Sequence, residues 1–173
     1  MKKQLYILLA VIFLFGCNKD VKIIDAKTKV SIKKDINVFL SDWHHAASVA
    51  NYKAYFSKMD NVSVFIGTDA TENWSKQQFE DYSKPHFDKG KAWDFKAVER
   101  NVYVNSTGDF VWFDEHLLTK RGTFRGSGVV ERKDNTWKIK HYVLSVPIPN
   151  DNMNEVVKVT RKNDSIFLSR FNN

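Results

Sequence analysis

The stretch DFVWFDEHLLTKRGTFRGSGVVERKDNTWKIKHYVLSV, Asp109 to Val146, decides the fold. It holds three runs rich in aromatic and β-branched residues, Asp109–Thr119, Thr123–Arg132 and Thr136–Val146, cut by the turn signals Arg121-Gly122 and Asp134-Asn135. Such side chains pack well on a pleated surface, and two-residue breaks of this chemistry fold the chain back as hairpins. Just upstream, Trp93–Val104 closes on Ser106-Thr107-Gly108 and reads as one more strand of the same antiparallel meander.

Alternation assigns the faces. Trp137, Ile139, His141 and Val143 share one side of the last strand and Lys138 and Lys140 the other, so the odd positions are expected to point inward. Turns at Asp134-Asn135 and Arg121-Gly122 set Val130 against Ile139, Gly128 against His141 and Glu115 against Gly128. Glu115, Gly128 and His141 then lie side by side on the concave face, with the glycine leaving room above the sheet. A carboxylate beside an imidazole is the usual equipment of proton transfer. It is equally the makings of a buried pair that holds a sheet together. A one-residue slip or a bulge would turn Asp114 and His116 inward instead. Arg125 faces away from His141 on this count, and a bulge near Gly126 would bring it in to bind an anion.

Before the meander the pattern is helical. Asp35 is placed to cap a helix running to about Phe56, with Ile36, Leu40, Trp43, Ala47, Ala50 and Ala54 on one face. His44, Asn51 and Tyr55 fall on a flank of that stripe, so His44 can look into a core or pocket and His45 cannot. Val62–Ile66 is a short strand closed by Gly67. Ser75 and Gln78 then form a capping box, flanked by Trp74 and Phe79 at the hydrophobic-staple positions, and open a second helix. Its apolar face continues through Tyr82, His86 and Phe87, which makes His86 a packed core histidine; Pro85 should kink or end the helix and Gly90 stop it. Helices first and hairpins after describe an α+β fold in which a curved sheet wraps its helices. Residues 151–173 read as a C-terminal helix and tail.

The N-terminus carries an address. Lys2 and Lys3 precede an apolar run, Leu5–Phe15, which is too short to span a bilayer and fits a signal peptide over residues 1–16. Leu14-Phe15-Gly16-Cys17 resembles a bacterial lipobox, so Cys17 is the expected lipidation site. Residues 17–34 form the tether, and the location implied is the cell envelope, outside the cytoplasm. Removing the signal leaves 25 basic against 20 acidic residues, a net charge of +5. In that compartment the charge fits solubility or an anionic surface or small molecule, and nucleic acid is not an expected partner.

The rest of the composition sets bounds. At 173 residues, 43% hydrophobic and 27% charged, with 7 Gly and 3 Pro, the chain is neither collagen-like nor disordered, and its length suits one domain. A single cysteine excludes an intrachain disulfide and a Cys-based zinc cluster. No phosphate-cradling glycine motif, HExxH or Gly-x-Ser-x-Gly elbow is present, so the sequence calls for no cofactor or metal and argues against a hydrolase of a standard kind.

Four segments together resemble a SnoaL-like domain of the nuclear transport factor 2-like superfamily: Phe65–Trp74, Val111–Glu115, Arg125–Val129 and Leu144–Asn150. The resemblance covers about residues 36–150, within an expected domain of 35–150. It implies a cone-shaped fold, with N-terminal helices packed in a strongly curved antiparallel sheet around a mainly apolar cavity, and frequent dimerisation through the sheet. The superfamily holds isomerases, dehydratases and polyketide cyclases beside proteins that only bind or scaffold, and in its enzymes a His, Asp or Glu inside the cone moves the proton. Carried over by position, Glu115, Asp114 and His141 are the catalytic candidates. Asp69 and Trp74 stand near the rim, and His44, Tyr55, Arg125 and Val143 complete the pocket, with Trp93 and Trp112 as core or as walls. Val143 stands where related domains often carry a polar residue. Three readings follow: a lipid-anchored domain binding a small, partly apolar ligand; an acid–base enzyme using Glu115 or His141; and a dimeric interaction module whose pocket is filled by Trp and Phe. A cavity on the order of 300 Å³ or more separates the first two from the third.

Overall fold

The computed structural model describes residues 22–171. The expected signal peptide, Cys17 and the first residues of the expected tether lie outside them.

Helix α1 spans Ala26–Ser48, and its cap is Asp25, whose carboxylate accepts the Thr28 N–H at 2.7 Å. The cap expected at Asp35 is therefore ten residues too late, and residues 26–34 are not tether but the first turns of this helix. Lysine is a good helix former, and the lysines there lie on the open side while Ile32 joins Ile36, Leu40, Trp43 and Ala47 in one buried stripe. The helix also does not reach Phe56. It stops in a Schellman arrangement, Asn51 N–H to Ala46 O and Ala50 N–H to Ala47 O, with Ala50 in the left-handed region at φ 52. Asn51 then caps the short helix α2, Tyr52–Ser57, through its side chain.

Six strands follow in one curved, open sheet: β1 (Met59–Ile66), β2 (Asn73–Ser75), β3 (Lys96–Val104), β4 (Phe110–Thr119), β5 (Gly122–Lys133) and β6 (Thr136–Ser145), in the order β2-β1-β6-β5-β4-β3. The meander β3 to β6 is antiparallel as expected, and β1 joins β6 in parallel. Helix α3, Lys76–Asp88, starts at the Ser75–Gln78 capping box, with the staple rings of Trp74 and Phe79 stacked 5.8 Å apart. It runs through Pro85 rather than ending there, and its last turn is held by Phe87, packed against Tyr55, Phe56 and Trp93. Tyr82 and His86 are exposed, so His86 is not a core histidine: α3 buries Phe79, Ser83 and Phe87, a narrower stripe than the aromatic pattern suggests. The core lies between the concave face of the sheet and α1 to α3, and is strongly aromatic. Beyond β6, the 3₁₀ turn Asn150–Asn152 leads into α4, Met153–Leu168, none of whose residues is buried.

Two irregularities shape the concave face. Between β5 and β6 the pairing passes from Val130–Ile139 to Val129–His141, so Lys140 is an extra residue on β6. Ile139 points inward as expected, but the bulge then turns Tyr142 and Leu144 inward and His141 and Val143 outward. Between β3 and β4, Val98 is extra in the same way, which leaves both Ala97 and Arg100 facing the helices. The turn Asp134-Asn135 has φ of 49° and 59° and pairs Lys133 with Thr136, as its sequence predicts. The β4–β5 turn centres on Lys120-Arg121 instead of Arg121-Gly122, which sets Glu115 against Gly126 and Phe113 against Gly128. That shift is of two residues in pairing, so it preserves the face, and Glu115 stays inward.

Asp25→Ala should lower stability by about 1 kcal/mol through the lost cap, and Asp35→Ala, now mid-helix and exposed, by less than about 0.5 kcal/mol. Denaturant melts of the two variants check this, and the reverse order would restore the later start of the helix.

Candidate functional site

A polar cluster is buried at the centre of the concave face. Glu115 is 1% exposed and lies between Phe113 and Leu117 on β4. Its Oε1 accepts from His44 Nε2 at 2.7 Å and from the Tyr142 hydroxyl at 3.0 Å. Its Oε2 lies 2.8 Å from both Nε and Nη2 of Arg100, whose Nη1 donates to the Asn37 carbonyl at 2.9 Å and contacts Ser41 Oγ at 3.2 Å. Close approach here needs a glycine: a Cβ on Gly126 would run into the Tyr142 hydroxyl.

Burial by itself pushes the Glu115 carboxyl up, but the His44 hydrogen bond and the charges of His44 and Arg100 outweigh it and hold the group below the ordinary glutamate range. It is therefore an anion at neutral pH, and His44 carries a proton on Nε2 to donate to it. Burial, then the charge of Glu115, pushes the Tyr142 hydroxyl well above its ordinary value, and burial does the same for Tyr55. Both phenols stay neutral. The carboxylate thus has both oxygens occupied and a lowered basicity, which suits a pin between α1, β3, β4 and β6 better than a base that must receive a proton.

The cavity lies elsewhere, between α3, the β4–β5 hairpin and the segment Lys91–Phe95, a half-open space of about 630 Å³. Phe65, Trp74, Phe79, Trp93, Phe95, Phe124 and Leu144 make its apolar wall, and Glu72, Lys91, Asp94, Lys120 and Arg121 stand among its polar lining. Neither Glu115, His44 nor Tyr142 is part of that lining. Phe95 lies between the two regions, on the cavity wall and edge-on to His44 at 6.0 Å.

The expected site residues therefore divide. Trp74 and Trp93 line the cavity. Glu115 and His44 meet in the buried cluster, and Tyr55 is core, stacked on Trp43 at 4.8 Å. Asp69 does not line the cavity; its carboxylate is held by the Thr71 hydroxyl and N–H in the loop before β2. His141 and Val143 face outward because of the Lys140 bulge. Asp114, Trp112 and Arg125 face outward by simple alternation: Asp114 accepts from Asn101 Nδ2, Trp112 is 45% exposed and stacks on Tyr103, and Arg125 approaches His116 at 3.3 Å. Sequence reasoning missed Arg100 and Tyr142. A signal for the first existed, since a carboxylate amid the apolar positions of β4 requires a buried cation. Among the described residues no cluster of three or more His, Cys, Asp or Glu is arranged to hold a metal ion.

With this geometry in view, the model of one family, the SnoaL-like domain, matches residues 36–149. The chain belongs to that SnoaL-like family. Among solved structures it is similar to a nuclear transport factor 2-like protein of unknown function from Pseudomonas putida, at 11% identity and TM-score 0.60 over 71% of this chain and 92% of that one. It is also similar to a candidate dehydratase of the same superfamily from Streptomyces avermitilis, at 9% identity and TM-score 0.60 over 70% and 99% of the two chains. The association domain of C. elegans CaMKII matches at 17% identity and TM-score 0.56 over 69% and 98%. These likenesses establish the fold that SnoaL-like domains share. No curated protein sequence matches the chain.

Glu115→Gln leaves Arg100 and His44 buried beside a neutral group and should cost about 3–5 kcal/mol at pH 7. Because the folded carboxyl titrates below its unfolded value of about 4.3, its stabilisation is present above that value and is lost as pH falls through the lower folded one. The wild-type protein should therefore lose stability on acidification below about pH 4 more steeply than Glu115→Gln. His141→Ala, on the outer face, should change stability by less than about 0.5 kcal/mol. Urea melts between pH 3 and 7 check all three, and a neutral Glu115→Gln would remove the pin.

Proposed function

We propose that the protein is a lipid-anchored domain of the bacterial cell envelope that binds a small, partly apolar molecule in the cavity beside α3. One observation carries the binding part: a cavity of about 630 Å³ with an aromatic wall and a few polar groups at its mouth. Small-molecule pockets have this size and this apolar lining with sparse polar groups. A vestigial pocket would be filled by its tryptophans, whereas Trp74 and Trp93 border open space. The acid–base reading drawn from the sequence needs Glu115 or His141 to face the ligand. Glu115 is sealed and saturated, and His141 is on the other face of the sheet.

A second reading is compatible with the first. The outer face of the sheet exposes Tyr103, Phe110 and Trp112 in one aromatic cluster, the kind of patch that marks a contact surface, and it supports a homodimer formed through the sheet.

The neutral fluorescent probe N-phenyl-1-naphthylamine, titrated into the full chain, should bind saturably, with energy transfer from Trp74 and Trp93. Ala92→Phe, which fills the cavity from its wall, should weaken that binding at least tenfold at an unchanged melting temperature; equal binding to both proteins would place the probe elsewhere and defeat the proposal. For the anchor, Cys17→Ser should abolish incorporation of labelled palmitate in a bacterial host and release the protein from the membrane fraction. Continued labelling of that variant would sink the anchor.

A further inference from the structure

Two features of the cavity, its ring geometry and its charge, narrow the ligand further. The rings on its wall are close to parallel: Phe65 on Phe79 at 3.8 Å and 12°, Trp74 on Phe79 at 5.8 Å and 11°, Trp93 on Phe79 at 5.6 Å and 25°, and Tyr82 on Trp74 at 4.6 Å and 26°. A planar ring entering the cavity continues this column by offset stacking, and a saturated skeleton of the same size does not.

The mouth carries uncommitted positive charge. Lys120 and Arg121 are the tip of the β4–β5 hairpin and Lys91 follows α3 directly. All three are exposed on the cavity lining, and their side chains form no hydrogen bond or ion pair among the described residues. Two acids stand against them, Glu72, whose carboxylate accepts the Asp69 N–H at 3.1 Å, and Asp94, so the three cations exceed the acids of the lining by one. Such an excess favours an anion at the mouth and falls with added salt.

From these together, and resting on the reading of the cavity as a binding site, we infer that the ligand class is a flat aromatic carboxylate, its ring against Trp74 and Trp93 and its acid group among Lys91, Lys120 and Arg121.

Calorimetric titration of the full chain with three matched probes tests this. Naphthalene-2-carboxylate should bind at least tenfold more tightly than naphthalene-2-methanol, which lacks the charge, and than decalin-2-carboxylate, which lacks the flat ring. The preference over the alcohol should collapse in the double variant Lys120→Glu, Arg121→Glu and in 0.5 M salt, while the affinity for the alcohol stays the same. Equal affinity for acid and alcohol overturns the anionic half, and equal affinity for the two acids overturns the aromatic half, both with the cavity still a binding site. No binding of any probe, with N-phenyl-1-naphthylamine also failing to bind, takes the cavity reading down as well.

Discussion

Glu115 stands in line with Val111, Phe113 and Leu117 on the buried side of β4, and an ionised carboxylate is tolerable there only if charge and hydrogen bonds meet it on every side. Arg100 brings the charge from β3, His44 an N–H from α1, and Tyr142 a hydroxyl from β6. Each arrives through a separate local device. The extra residue Val98 turns Arg100 toward the helices, the extra residue Lys140 turns Tyr142 inward, and the flank of the α1 stripe carries His44. Gly126 leaves the space in which the Tyr142 hydroxyl reaches the carboxylate. Changing any one of these leaves a buried group unpaired, so the cluster makes the helix–sheet packing specific more than it makes it strong.

What could be read in the chain follows from which features are local. Turn chemistry at Asp134-Asn135, the Ser75–Gln78 box and the stripe from Ile36 to Ala47 each depend on a few adjacent residues, and all three have their expected outcome. The break at Ala50 was not legible, because a left-handed residue at a helix end is usually glycine or asparagine, and here an alanine takes it with Asn51 starting the next helix. The expected pairing of Glu115 with His141 is not made, and the imidazole at the carboxylate is His44 from α1. Alternation holds as far as Ile139, and one bulged lysine then inverts the rest of β6. A bulge has no dependable composition, although Lys140 in this one is 3.4 Å from Asp60 and 3.5 Å from Glu131 at the bend.

The same inversion decides how the site should be understood. With His141 inward, acid, glycine and imidazole would have formed a dyad on an open concave surface. With Tyr142 inward, the acid is roofed by a phenol whose ring lies 4.8 Å edge-on to Trp43, and the apolar floor closes over it. A proton donor or acceptor that works on a ligand must touch it, and the side chains that border the cavity beside α3 include neither Glu115 nor His141.

The buried cluster and the cavity lining are in this way made of different residues. The buried cluster ties four elements together and lies behind Phe95, out of the cavity lining, so altering the ligand need not disturb it. The charged groups that would choose a ligand, Lys91, Lys120 and Arg121, are exposed on the β4–β5 hairpin tip and just after α3, where substitutions meet little packing. A fold arranged like this can keep its sheet while changing what it binds. In the proposed binding mode, specificity rests with Lys91, Lys120, Arg121 and the rings of Trp74 and Trp93, and not with the carboxylate that the sequence makes conspicuous.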